Sequence, residues 1–233
     1  MEEMKRAERW FEQQGWKPFP FQRQTWKAFL EGKNGLVNAP TGSGKTYSLA
    51  LPIMLHAPRD PNEASCLRAI WITPIKALAK EIYLSAIRAA EEMNVPWRVA
   101  MRTGDTTTAD RKKIRTNPPE MLITTPESLH IMLAQKGYAS YFKNLTAVVC
   151  DEWHELLGSK RGVQTELALS RLKHVAPNLR IWGISATIGN MDEALQVLLG
   201  PRQAEDAVMI RADIEKDIVV RSILPDAVDE LPW

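Results

Sequence analysis

Gly35-Leu36-Val37-Asn38-Ala39-Pro40-Thr41-Gly42-Ser43-Gly44-Lys45-Thr46 is the stretch that decides the fold. Residues 35–39 read as a short buried strand, and a helical pattern runs from Lys45 to about residue 56. A Gly/Ser loop that leaves a strand and opens a helix is the setting of a phosphate-binding P-loop. Gly42 and Gly44 let the backbone take positive φ, so that successive N–H groups turn inward as an anion nest. The helix start adds its positive dipole end. Lys45 supplies a mobile charge for the β- and γ-phosphates of ATP, and Thr46 a hydroxyl for Mg²⁺. Thr41, Gly42, Ser43, Gly44, Lys45 and Thr46 are therefore the candidate nucleotide ligands. The strict pattern begins with glycine where this chain has Ala39. A Gly/Ser turn before a helix is common by itself; its agreement with strand, lysine and helix is what points to ATP.

Outward from this loop, short apolar or β-branched runs alternate with longer helical patterns. Further strands are expected at 67–73, 97–101, 120–124, 145–150, 180–185, 208–211 and 218–223, with helices at 75–93, 126–134, 162–175 and 191–199. Strands spaced by helices imply crossover connections, hence an α/β fold with a mostly parallel sheet covered on both faces. Ligands of such sheets collect at the carboxyl ends of the strands. Here those ends carry Thr73-Pro74, Arg102-Thr103-Gly104-Asp105, Thr124-Thr125-Pro126-Glu127, Asp151-Glu152 and Ser185-Ala186-Thr187. One edge of the sheet thus reads as a continuous working surface.

A P-loop needs a carboxylate at the end of a neighbouring buried strand. Val148-Val149-Cys150-Asp151-Glu152 provides it: Asp151 to hold Mg²⁺, through water, and Glu152 to orient and deprotonate an attacking water. An N-cap aspartate followed by a first-turn glutamate would look the same in isolation. His154 is either a surface histidine or a sensor of the nucleotide state. The four histidines show no metal-ligand spacing.

Composition agrees with a globular enzyme. Of 233 residues 45% are hydrophobic and 25% charged, which excludes a disordered or fibrous chain. The net charge of +2 excludes a cationic coat but leaves room for a local basic groove. Arg102, Arg111, Lys112, Lys113 and Arg115 against Asp105 and Asp110 make one such basic stretch, which is equally a solvated helix face. Cys66 and Cys150 read as free thiols in a reducing compartment. No apolar run reaches the ~20 residues of a membrane span, so no membrane partner is expected and the default location is cytoplasmic. Eight tryptophans are many; composition does not sort core residues from stacking surfaces.

Ala39–Thr46, Thr73–Ala79, Thr124–Leu129, Asp151–His154 and Ser185–Thr187 occur in the order of motifs I, Ia, Ib, II and III of superfamily 2 helicases, and the acidic box reads DExH. The run from Asp151 through Gly158 to Gly162 resembles the Lhr-type helicases and, among them, the bacterial ligase-associated DExH-box group. The resemblance covers about residues 15–200 and implies a RecA-like ATP-binding domain at 1–210, with a glutamine-motif region at 10–31. It implies that Gln22 reads adenine, with Trp16, Phe19 or Arg23 stacking on the base. It places Thr73, Pro74, Lys76, Arg102, Thr103, Gly104, Thr124, Thr125 and Pro126 on a nucleic-acid backbone, and Ser185 and Thr187 in the coupling of hydrolysis to strand movement, with His154 in contact. Such motors use a second RecA-like domain that brings an arginine finger. Residues 211–233 are expected to be an edge strand and a linker toward that second domain. The function implied is an ATPase domain of a 3′-to-5′ DNA helicase acting in repair on single-stranded or tailed DNA or RNA:DNA hybrids, linked to an ATP-dependent DNA ligase and a nuclease. An RNA remodeller and a non-catalytic, nucleotide-gated binding module are the alternatives.

Overall fold

The computed structural model describes residues 2–56, 65–186 and 189–214. In chain order the elements are α1 (Glu2–Gln13), α2 (Pro20–Leu30), β1 (Gly35–Asn38), α3 (Lys45–His56), β2 (Ala69–Ile72), α4 (Lys76–Glu92), β3 (Val99–Arg102), α5 (Thr108–Thr116), β4 (Met121–Thr124), α6 (Pro126–Leu133), α7 (Tyr138–Phe142), β5 (Ala147–Cys150), α8 (Trp153–Leu156), α9 (Lys160–Val175), β6 (Arg180–Ser185), α10 (Met191–Leu199), α11 (Pro201–Ala204) and β7 (Val208–Arg211). The strands form one sheet in the order β3-β4-β2-β5-β6-β1-β7. Every pairing among the described residues is parallel.

The pleat explains the two layers. Successive strand side chains face opposite sides of the sheet. Accordingly Val37, Trp71, Ile123 and Val149 join one apolar cluster, under α1 to α4. Leu36, Ile70, Leu122 and Val148 join the other, under α6, α9 and α10. The strand that carries the acidic pair is central: β5 is fourth of seven and buried throughout. Both faces covered and strands apolar on both sides is what an all-parallel sheet demands.

Trp10, Trp26, Trp71, Trp153 and Trp182 are fully buried, which sorts the tryptophans. Their indole N–H groups find acceptors inside; Trp153 donates to the Ala194 carbonyl at 2.9 Å and Trp182 to that of Lys33 at 2.9 Å. Among the described tryptophans Trp16 is the exposed one, at 43%.

The helix expected from residue 162 begins at Lys160, because the Ser159 side chain caps it by accepting from the Gly162 N–H at 3.1 Å. Gly162 is there for space. A Cβ on it would stand 2.0 Å from the Leu156 carbonyl oxygen, a backbone atom of α8. Gly162→Ala should push α8 and α9 apart at a cost of about 1–3 kcal/mol. A melting experiment should show a fall of about 2–4 °C per kcal/mol; an unchanged midpoint would refute this packing. The strand expected at 218–223 lies outside the described residues, as does Thr187. β7 pairs with β1, and the Ala212 N–H continues the ladder by donating to the Asn38 carbonyl at 2.8 Å.

Candidate ATPase site and nucleic-acid groove

The carboxyl edge of the sheet gathers the expected nucleotide-site residues. β1 ends at Asn38, and the loop to α3 has Gly42 and Gly44 at φ 79° and 74°. Ser43 and Lys45 are buried, Thr46 is half-buried, and Thr41 is exposed. Asp151 and Glu152 follow β5. The sequence reading put β5 next to the P-loop strand; instead β6 lies between them, paired with both. Two strand spacings, about 10 Å, therefore separate the two loop ends. Long side chains close the gap. Lys45 Nζ lies 3.2 Å from Glu152 Oε1, with the two side chains only 9% and 16% exposed.

Three further contacts organise the acids. Glu152 sits in the left-handed region at φ 46°, ψ 48°, which costs a non-glycine residue about 1–3 kcal/mol and recurs at functional sites. Its second carboxylate oxygen is 3.4 Å from His154 Nδ1, and the same nitrogen pairs with Ser185 Oγ at 2.9 Å. His154 thus joins the acid to the end of β6. Asp151 is 7% exposed. Its carboxylate accepts from the Trp71 indole N–H at 3.2 Å and from the Glu152 N–H at 2.9 Å. Burial pushes its pKa up to about 6, the Trp71 hydrogen bond opposing and the Glu152 charge adding to the rise. Trp71 was not singled out from sequence. It lies opposite Val149 across β2 and β5, so it meets Asp151 diagonally, and only the strand order reveals that.

Above the loop, a cavity of about 360 Å³ is lined by Phe11, Trp16, Phe19, Gln22, Tyr47 and the P-loop glycines. Trp16 and Phe19 are each more than 40% exposed. Of the three stacking candidates, Arg23 is engaged elsewhere: it binds Glu8 at 2.8 Å and the Pro18 carbonyl at 3.2 Å. Gln22 is buried, and its amide is in use. It accepts from the Phe19 N–H at 2.8 Å and donates to the Ser43 and Gly44 carbonyls at 3.4 and 3.0 Å. Phe11 and Tyr47 are additions that no short motif marks.

On the other half of the edge, Lys76, Arg102, Gly104 and Thr125 line one cavity of about 300 Å³, together with Arg111 and Arg161. The basic stretch from Arg102 is half edge, half helix: α5 occupies Thr108–Thr116. Thr73, Pro74, Thr103, Thr124 and Pro126, expected to face a strand, are buried instead. Their polar groups hold the loops: Thr124 Oγ1 donates to the Arg102 carbonyl at 2.8 Å, and the Thr103 N–H to Thr106 Oγ1 at 2.9 Å. Thr73 Oγ1 is buried with no partner among the described residues. These residues shape the wall that presents Lys76, Gly104, Arg111 and Arg161.

An all-parallel sheet with a glycine-rich loop and an acidic pair converging on its carboxyl edge defines a P-loop nucleotide-binding domain of RecA-like form. A model of the DEAD/DEAH box helicase family matches residues 19–194, and the chain belongs to that family. It is 35% identical over 208 residues to the ATP-dependent helicase Lhr-Core of Methanothermobacter thermautotrophicus, covering 83% of this chain and 24% of that protein. It is 36% identical over 211 residues to the Lhr helicase/uracil glycosylase of Escherichia coli, covering 83% and 14%. The fold is similar to Mycobacterium smegmatis helicase Lhr bound to ssDNA and AMP-PNP, with a TM-score of 0.72, 32% identity, and coverage of 88% and 27%. The chain therefore spans about a quarter or less of the curated relatives it matches.

Proposed function

We propose that this chain is the ATP-binding motor domain, residues 1–210, of an Lhr-like ATP-dependent DNA helicase. Residues 211–233 then lead toward a second RecA-like domain that completes the catalytic site. The observation that carries the reading is the 3.2 Å approach of Lys45 to Glu152 across an intervening strand. Nothing in packing alone requires a P-loop lysine and a strained acid to meet there.

The residues divide the work as follows. The Gly42–Lys45 amides receive the phosphates, and Lys45 leaves Glu152 to neutralise them. Once released, Glu152 can take a proton from water, held in orientation by His154. Thr46 and Asp151 offer a hydroxyl and a carboxylate, the hard oxygens that Mg²⁺ takes, beside an acidic pair whose repulsion a cation relieves. Mg²⁺ there would neutralise charge developing on the phosphates. Ser185, with Thr187, passes changes at His154 to the rest of the sheet edge. The base enters between Trp16 and Phe19. Gln22 reads adenine by exchanging a loop hydrogen bond, so base and P-loop sense each other.

The cavity with Lys76, Arg102, Gly104 and Arg111 holds the sugar–phosphate backbone without reading sequence. The Lhr resemblance favours single-stranded or tailed DNA, 3′-to-5′ movement and a repair setting with ligase and nuclease partners. No described helix is long and apolar enough to cross a membrane. Cys66 and Cys150 are free thiols, which suits a reducing cytoplasm.

The test is calorimetric titration with Mg²⁺ and a non-hydrolysable ATP analogue. The chain should bind it, Lys45→Ala should lose most of the affinity, and Trp16→Ala should weaken it by about 1–3 kcal/mol if the ring stacks on the base. An analogue bound equally by wild type and Lys45→Ala would overturn the site. Competition of single-stranded DNA with RNA of the same length decides the strand.

A further inference from the structure

We propose that a second basic cavity, between α5 and α7, is a phosphate subsite that receives the nucleic-acid strand after it leaves the groove. This rests on the groove reading given above and extends it to a face that none of the helicase motifs reaches.

The argument starts from Arg102. It ends the edge strand β3, and its side chain is 4% exposed. Its guanidinium makes no hydrogen bond or ion pair with any described residue, and the positive charge of Arg111 repels it. Its stem is packed away while its guanidinium nitrogens stay open to the cavities, so the cation faces space with no protein acceptor and can take an oxyanion there. Arg102 lines two cavities at once. One is the groove of Lys76, Gly104 and Arg111. The other, about 400 Å³, is lined by Arg115, Gln135, Lys136, Tyr138 and Tyr141 among others.

The second cavity is selective in charge. Among the described residues, no acidic one lines it. The cavity on the other side of α5 has Glu91 and Asp110, and the groove itself has Glu127. In the groove two cations are already paired, Lys76 with Asp105 at 2.7 Å and Arg161 with Glu127 at 2.6 Å. Arg115 and Lys136 have no carboxylate within ion-pair distance among the described residues. Three cations, none with a carboxylate partner among the described residues, thus surround a space fit for an oxyanion. Gln135, half-buried on its rim, adds an amide donor. Because Arg102 is shared by both cavities, one phosphodiester chain passing over it can place successive phosphates in each. That continuity favours a strand over a free phosphate ion.

The experiment is fluorescence anisotropy of the chain with labelled single strands of about 5 and about 15 nucleotides, titrated across salt concentrations. The double variant Arg115→Ala/Lys136→Ala alters two exposed side chains, and a melting curve verifies its fold. On the long strand it should flatten the log K against log salt slope by about 1.4, at about 0.7 per lost phosphate contact. On the short strand it should bind as wild type does. Arg102→Gln should weaken both lengths. A double variant that keeps the wild-type slope on the long strand overturns the proposal. So does pyrophosphate binding that the double variant loses while its long-strand binding stays whole, which would make the cavity a free-phosphate site. A wild type that binds the short strand and gains nothing from the long one removes the subsite and leaves the groove standing. A wild type that binds neither length removes both.

Discussion

Glu152→Gln should bind an ATP analogue more tightly than wild type while hydrolysing ATP about 10²–10⁴-fold more slowly, the usual worth of a general base. The opposite signs come from one contact. In the structure Glu152 holds Lys45 at 3.2 Å, so an incoming triphosphate must first compete for the lysine. A glutamine keeps the shape and the place beside His154, 3.4 Å away in the native chain, but drops the charge, and Lys45 becomes free for the phosphates. The same change removes the proton acceptor. Lys45→Ala gives the complementary pattern, weak binding and slow turnover together. Single-turnover hydrolysis with a parallel binding titration separates these outcomes. A Glu152→Gln variant that binds more weakly and still hydrolyses would mean that the pair is structural and that the base lies elsewhere.

Much of this site was legible because its parts are local. Ala39–Thr46 announces itself by strand, glycines, lysine and helix within twelve residues from Gly35. Asp151-Glu152 stands at the end of a run apolar enough to be central, and β5 is central. Strand order was not legible: placing β6 between the two loops is a decision of tertiary packing, and periodicity carries no information on it. Trp71 escaped for the same reason, since its contact with Asp151 crosses 80 residues of sequence. The threonines and prolines at the strand ends were read as ligand contacts because turn chemistry and phosphate chemistry use the same small polar residues. The side chains of Thr73, Thr124 and Pro126 are buried in the wall, and Thr125 and Arg102, nearly as buried, still line the groove. The aromatic lining of the base cavity comes from α1, α3 and the loop before α2, far enough apart that no spacing rule links Phe11 to Tyr47.

Asp151→Asn should change the pH dependence of stability more than any other single charge removal in the site. The ordinary aspartate value is 3.8, and in the folded chain the group is raised to about 6, first of all by burial. Below about pH 4 the carboxyl is protonated folded or unfolded and contributes nothing. Between those values the folded state holds the extra proton, so stability falls as pH rises. Above about pH 6 the ionised, buried carboxylate carries its full penalty, on the order of 3 kcal/mol. Asparagine cannot ionise. It also turns an N–H toward one of two donors, Trp71 or the Glu152 amide, a loss that does not vary with pH. The diagnostic quantity is therefore the difference in unfolding free energy, variant minus wild type, which should rise by about 3 kcal/mol from pH 4 to pH 7. Thermal unfolding across that range measures it. Mg²⁺ with an ATP analogue should flatten the wild-type slope, because a cation beside the carboxylate stabilises its charged form. A difference that stays level with pH would show that Asp151 is solvated in the folded chain. In that case desolvation is not what primes this acid to take a cation.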